Sequence, residues 1–164
     1  MNIPDADIRI IGAEKRHLDD CIASLGGSGI GERYFADTGF ARDLILAGID
    51  KKELFVSIDG NGTLKGFYWA APRGMFCRFP YLRLLSVKPE FRNLGIGRRL
   101  LGHFEENGFC QAPKVFLAVS DFNDGAQRFY ERNGYTRVGA IPDLYKKGIA
   151  EILMVKSAPS KATP

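Results

Sequence analysis

The sequence predicts a mixed α/β (α+β) domain built on one sheet of seven strands, with helices on both faces. Three observations predict it. Apolar residues recur at helical spacing in some segments and in short extended runs in others, in the order β-α-α-β-β-β-α-β-α-β-β. Two apolar runs flank Asp59-Gly60-Asn61-Gly62, a strong hairpin signal. No internal repeat or linker divides the 164 residues, the size of one ordinary domain. Residues 1–156 are therefore expected to form a single domain, with a small, polar, Pro-containing tail at 157–164 expected to be disordered.

"IRIIGA" (8–13) is the opening strand. Leu18, Cys21, Ile22 and Leu25 then fall at i, i+3, i+4 and i+7, a helical stripe. "GGSGIG" (26–31) has no strand leading into it and no Lys-Ser/Thr after it, so it is expected to be a flexible helix-to-helix connection rather than a phosphate loop. A second helix is expected over Phe40 to Ala47, ending near Gly48. Strands follow at 54–58, 63–71 and 81–89, the last ended by Pro89. A helix over 95–107 buries Ile96, Leu100, Leu101 and Phe104. "KVFLAVS" (114–120) is a strand rich in β-branched and aromatic residues. The next helix has Asn123 as a candidate N-cap and stops at Asn133-Gly134. "TRVGAI" and "AEILMVK" are the last two strands, around a loop at 142–149.

Several function classes drop out. Hydrophobic residues make up 45% and charged residues 26%, as in water-soluble globular proteins. No apolar run approaches the ~20 residues that span a bilayer. The N-terminus lacks a basic start and a long apolar stretch, so no signal peptide and no membrane partner are expected, and a cytoplasmic location is the default. Cys21, Cys77 and Cys110 are scattered, and His17 and His103 are the sole histidines, so neither a disulfide framework nor a metal site is expected. The net charge of +4 favours an anionic partner without naming one. No helix-turn-helix, zinc finger or aromatic RNP motif supports a nucleic acid.

The chemistry concentrates in "FRNLGIGRRL" (91–100). Gly95 and Gly97 stand where a basic amphipathic helix should be nucleating, although glycine costs roughly 1 kcal/mol against alanine inside a helix. A helix N-terminus presents unpartnered N–H groups and partial positive charge. Glycines let a bulky anion approach them, and Arg92, Arg98 and Arg99 add charge. Residues Arg92, Asn93, Leu94, Gly95, Ile96, Gly97 and Arg98 thus read as a pyrophosphate cradle. The competing reading is close helix–strand packing, and the dinucleotide fingerprint is not met.

"LLSVKPEFRNLGIGRRLL" resembles the acyl-CoA-binding segment of the GNAT (Gcn5-related N-acetyltransferase) superfamily, whose motif is Arg/Gln-x-x-Gly-x-Gly/Ala. "VFLAVSDFNDGAQRFYERNGY" resembles the strand and helix that follow, with Asn123, Ala126, Phe129, Tyr130, Gly134 and Tyr135 in the family's places. The resemblance is clear over 52–156; residues 1–51 match in element order alone. It implies a GNAT-like fold with a mostly antiparallel sheet, and acetyl-CoA as co-substrate without a metal. It further implies a primary amine as acceptor, on a small molecule or a protein, and it allows a homodimer.

The resemblance also implies roles. Leu85 and Val87 would line the pantetheine, with the Val87 backbone N–H aimed at the thioester carbonyl as oxyanion donor. Asn123 would contact the pantetheine arm, its alternative being a plain helix cap. Tyr130 would be both cofactor contact and general acid, protonating the departing thiolate, its alternative being an aromatic core residue. Ala118 stands where ribosomal-protein acetyltransferases carry a Glu base, so no base is assigned; Glu53, Asp121 and Glu131 read as surface charges. Phe67 and Trp69 share one sheet face and Tyr68 takes the other. One face is a candidate acceptor wall, and Tyr145 a candidate at its border. A non-catalytic acyl-CoA sensor of the same fold is the alternative function.

Overall fold

The computed structural model describes residues 8–26 and 28–159. Its elements are β1 (Arg9–Gly12), α1 (Leu18–Leu25), α2 (Gly29–Tyr34), α3 (Thr38–Asp50), β2 (Leu54–Ile58), β3 (Leu64–Met75), β4 (Phe79–Val87), α4 (Ile96–Phe109), β5 (Lys114–Ser120), α5 (Asp124–Arg132), β6 (Thr136–Pro142) and β7 (Ala150–Ser157). The strands form a seven-stranded sheet in the order β1-β2-β3-β4-β5-β7-β6. Pairing is antiparallel for β1–β2, β2–β3, β5–β7 and β6–β7, and parallel for β4–β5. No helix among the described residues is long and apolar enough to cross a membrane.

Among the described residues, three α-helices, not two, precede β2, with a 3-10 turn at Lys15–His17 ahead of them. The expected connection at 26–31 contains the start of α2. Ser28 caps that helix, accepting from Gly31 N–H (2.9 Å) while its hydroxyl donates to Leu25 O (2.6 Å). Gly31 is required by proximity: a Cβ there would lie 2.0 Å from Leu25 O. Gly27 lies outside the described residues. α3 also outruns the expected Phe40 to Ala47. Asp37 caps it by accepting from Gly39 and Phe40 N–H, and Gly48 does not stop it. Gly48 instead lets the helix lie against Trp69, whose ring is 3.2 Å from where a Cβ would sit.

Contacts divide the described residues into two compact units, one within 8–70 and 84–104 and the other within 71–83 and 105–159. In the first, Leu18, Cys21 and Leu25 of α1, Ile45 and Ile49 of α3, and Val56, Phe67 and Trp69 of the strands make one buried apolar cluster. The expected alternation holds. Tyr68 points the other way, with its ring against Phe104 of α4 and its hydroxyl 2.8 Å from His103 Nδ1. Trp69 Nε1 donates to Glu53 (2.9 Å). The β2–β3 hairpin is braced by Asp59, which accepts from Asn61 and Thr63 N–H and bridges to Lys65 (2.7 Å).

In the second unit, Leu82, Val115, Leu117, Val119 and Met154 are buried. Phe76 and Cys77 join β3 to β4 with φ of 53° and 56°, the left-handed pair that a tight hairpin turn of type I′ requires. Arg78 N–H closes the turn on Met75 O (3.1 Å). Gln127 of α5 donates to the carbonyls of Ser120 and Asp121 and accepts from Arg137 (2.7 Å), which fixes α5 to the end of β5. All seven residues of β6 are exposed. β7 extends through Ser157, the first residue of the expected tail, and Ala158 N–H donates to Pro113 O. The rest of that expectation, 160–164, lies outside the described residues, as do residues 1–7 of the N-terminus.

Candidate active site

In the first unit, β4 ends at Val87, and Pro89–Phe91 makes one 3-10 turn before the glycine segment. Arg92, Asn93, Leu94 and Gly95 are exposed and run as turn into the first residue of α4, the buried Ile96. Asn93 has φ 61° and Gly95 φ 80°. A Cβ on Gly95 would meet nothing within 4 Å, so this glycine is set by backbone conformation and not by packing. The space before α4 is open. Arg99 N–H donates to Gly95 O (3.1 Å), the bond that begins the helix. The N–H groups of Ile96, Gly97 and Arg98 precede it in the first turn, where a helix has no carbonyls of its own to offer them. Arg98 is exposed and Gly97 half-buried. An open turn with backbone donors and basic side chains fits a pyrophosphate.

Arg92 does more than add charge. Its Nε donates to Val87 O (3.1 Å), which ties the turn to the end of β4. Leu85 and Val87 are half-buried. Gly66 of β3 backs them, and a Cβ there would sit 2.6 Å from Ser86 O and 3.1 Å from Val87 Cα.

In the second unit, Asn123 is the N-cap of α5, its side-chain oxygen accepting from Ala126 N–H (3.2 Å). Tyr130 is 8% exposed, with edge contacts to Phe129 and Tyr135. Burial pushes its phenol above the ordinary tyrosine value, so it holds its proton at neutral pH. Phe67 and Trp69 belong to the apolar cluster of the first unit rather than to an open wall. The three acidic residues all have structural bonds: Glu53 to Trp69, Asp121 to Ala150 N–H (3.1 Å), and Glu131 to Arg137 (2.8 Å). Ala118 pairs with Leu153.

Residues 27–135 match the model of the acetyltransferase (GNAT) family. The chain belongs to this family. Among GNAT relatives, it is 39% identical over 82 residues to the uncharacterized N-acetyltransferase MJ1530 of Methanocaldococcus jannaschii, spanning 49% of this chain and 53% of that protein. It is 34% identical over 86 residues to the N-alpha-acetyltransferase RimI of Mycobacterium tuberculosis, spanning 52% and 53%. The chain thus spans about half the length of these curated relatives. The crystal structure of Ard1 from Thermoplasma volcanium shares the GNAT fold, with TM-score 0.78 and 21% identity over 93% of this chain and 99% of that one.

One cluster escaped the sequence. Glu151 of β7 is 4% exposed and accepts from the Ser120 hydroxyl (2.8 Å). Burial pushes the phenol of Tyr81 in β4 up, its hydrogen bond with Tyr145 and the charge of Glu151 push it further the same way, and Arg83 opposes them. The available signal was a charged residue on the same strand parity as Leu153 and Val155.

Proposed function

We propose that the protein is an N-acetyltransferase that moves the acetyl group of acetyl-CoA to a primary amine by direct attack on the thioester. The open turn at the head of α4, with Gly95 at φ 80° and basic neighbours, carries this reading. The N-acetyltransferase names of the relatives agree with it.

Bound acetyl-CoA supplies an activated thioester carbonyl. The N–H groups of Ile96, Gly97 and Arg98 hold the pyrophosphate, with Asn93 and Leu94 shaping the turn and Arg92 anchoring it to Val87. Leu85 and Val87 line the pantetheine, and Val87 N–H donates to the carbonyl oxygen as negative charge develops there. Asn123 keeps its cap and offers its remaining amide group to the pantetheine arm. Tyr130, protonated at neutral pH, gives its proton to the departing thiolate.

Calorimetric titration of acetyl-CoA into wild type and Gly97→Glu tests the reading. The substitution sets a carboxylate against the pyrophosphate. Micromolar binding by the wild type, abolished in a variant that still melts cooperatively, is expected. A folded wild type that does not bind acetyl-CoA overturns the proposal.

A further inference from the structure

Lys65 is a buried lysine that the strand pattern does not call for. Leu64 pairs with Ile58 and Gly66 with Ser57, so Lys65 is the extra residue of a β-bulge in β3. The bulge slips the alternation by one residue, since Leu64, Phe67 and Trp69 all join the apolar cluster of the first unit. Lys65 stays out of that cluster, yet it is 7% exposed. A bulge re-aims a side chain, and here it aims an ammonium at the turn between β4 and α4.

Two groups meet that ammonium. Asp59 Oδ2 lies 2.7 Å from Nζ, and the centroid of the Phe91 ring lies 3.9 Å from it. Asp59 is itself fixed, because its other oxygen accepts from Asn61 and Thr63 N–H. Taking an ammonium out of water is costly unless it is paired, and an apolar residue would close the same space without that cost. What the charge adds is a hold on one aromatic face. Phe91 is the last residue of the Pro89–Phe91 turn, immediately before the glycine segment. The backbone of Lys65 holds the other end of the same turn, for Lys88 N–H donates to Lys65 O (2.9 Å). Arg92 Nε then returns to Val87 O (3.1 Å). One residue of β3 thus fastens, at both ends, the turn that separates Val87 from the glycine segment.

We infer that Lys65 is a positioning residue for the cofactor: its ammonium, held by Asp59, orders the turn at Phe91 and so fixes the open donors of α4 relative to Val87 before acetyl-CoA arrives. Lys65 acts through Phe91 and not as a ligand of the pyrophosphate. A turn ordered in advance spares the ligand the cost of ordering it, so the gain appears as affinity. The inference rests on the acetyltransferase reading, and binding of acetyl-CoA with no acceptor present is enough to decide it.

The test is calorimetric titration of acetyl-CoA into wild type, Lys65→Met, Lys65→Arg, Phe91→Leu and the double variant Lys65→Met/Phe91→Leu, each with its melting curve. Lys65→Met keeps the length of the side chain, removes the charge and should weaken acetyl-CoA about tenfold. Phe91→Leu should do the same, and the double variant should lose no more than either alone, because both break one contact. Lys65→Arg restores a cation for the carboxylate and the ring and should bind within about threefold of wild type. A general loss of stability produces neither this rescue nor this coupling. Arg42→Ala, which breaks an exposed ion pair with Asp19 in the same unit, is the control and should bind as wild type does. Hydrogen exchange reads the turn without ligand: the Phe91 amide, bonded to Lys88 O (2.9 Å), should exchange faster in Lys65→Met. A folded Lys65→Met with the affinity of wild type overturns the inference. Additive losses in the double variant, a Lys65→Arg as weak as Lys65→Met, or unchanged exchange at Phe91 overturn it too. Should Lys65→Met fail to fold, Phe91→Leu decides: weaker binding by it, with Lys65→Arg near wild type, supports the role, and wild-type affinity overturns it. A folded wild type that does not bind acetyl-CoA overturns the acetyltransferase reading, whereas binding by wild type and all variants alike overturns the role of Lys65 alone.

Discussion

Gly66→Ala is the sharpest probe of how the fold positions Val87. Gly66 lies in no glycine motif, yet a methyl group there would sit 2.6 Å from Ser86 O and 3.1 Å from Val87 Cα. Both neighbours are backbone, so no rotamer change relieves the clash. The Ser86 carbonyl would have to retreat from 2.6 Å to the 3.4 Å at which ordinary contact begins. Overpacking of this kind costs about 1–3 kcal/mol. A chain of this size loses roughly 2–4 °C of melting temperature per kcal/mol. The same shift displaces the Val87 amide, and a misplacement of about 1 Å at a reacting centre costs on the order of 10²-fold in rate. Circular-dichroism melting, thiol release from acetyl-CoA with an accepted amine, and the Val87 amide resonance on adding acetyl-CoA read the three effects. Gly125→Ala is the control, since a methyl there meets nothing within 4 Å. A Gly66→Ala protein with the melting temperature and rate of the wild type would refute the argument.

Further outcomes are expected. Gly95→Ala costs about 1–2 kcal/mol because φ is 80° while the space is open, and Gly95→Asn costs less because Asn tolerates that conformation; melting curves of the pair check it. Tyr130→Phe should retain acetyl-CoA binding by calorimetry and lose roughly 10²–10⁴-fold in kcat, whereas a sensor would show no turnover to lose. Asp59 is held below its ordinary value of 3.8, first by its bond from Lys65 and then by the Thr63 N–H. A depressed carboxyl stabilises the fold above its unfolded value, and that contribution fades as pH falls through the lower folded one. Asp59→Asn should therefore be less stable than wild type at neutral pH, and the gap should close below about pH 4, measured by urea melts across pH.

The sequence carried the fold where local chemistry decides it. β2 and β5 fall at the expected limits because their apolar runs are bounded by clear breakers. α2 was hidden because Ser28 and Gly31 act through Leu25 O, a contact with the end of the preceding helix. The end of α3 was misplaced because Gly48 serves packing on Trp69, which propensity cannot see. The length of β3 and its turn into β4 were missed since Phe76-Cys77 carries none of the Asn-Gly chemistry that marks such turns. The head of α4 was legible because a left-handed backbone needs glycine at Gly95. The cap role of Asn123 was legible for the same local reason. Glu151 was not, since its meaning depends on Ser120, 31 positions away in the chain and brought alongside by β5–β7 pairing.

The Phe76-Cys77 turn also offers an engineering margin. Two bulky residues hold a conformation that Asn-Gly adopts without strain, so an Asn-Gly graft should harden the protein to heat. The same graft removes an exposed thiol, and with it a site for oxidative cross-linking during storage. It also strips the Phe76 ring from its edge contact with Phe116, 6.2 Å between centroids. Backbone ease and ring packing therefore pull in opposite directions at this single turn, and the melting temperature of the graft reads which of the two is larger.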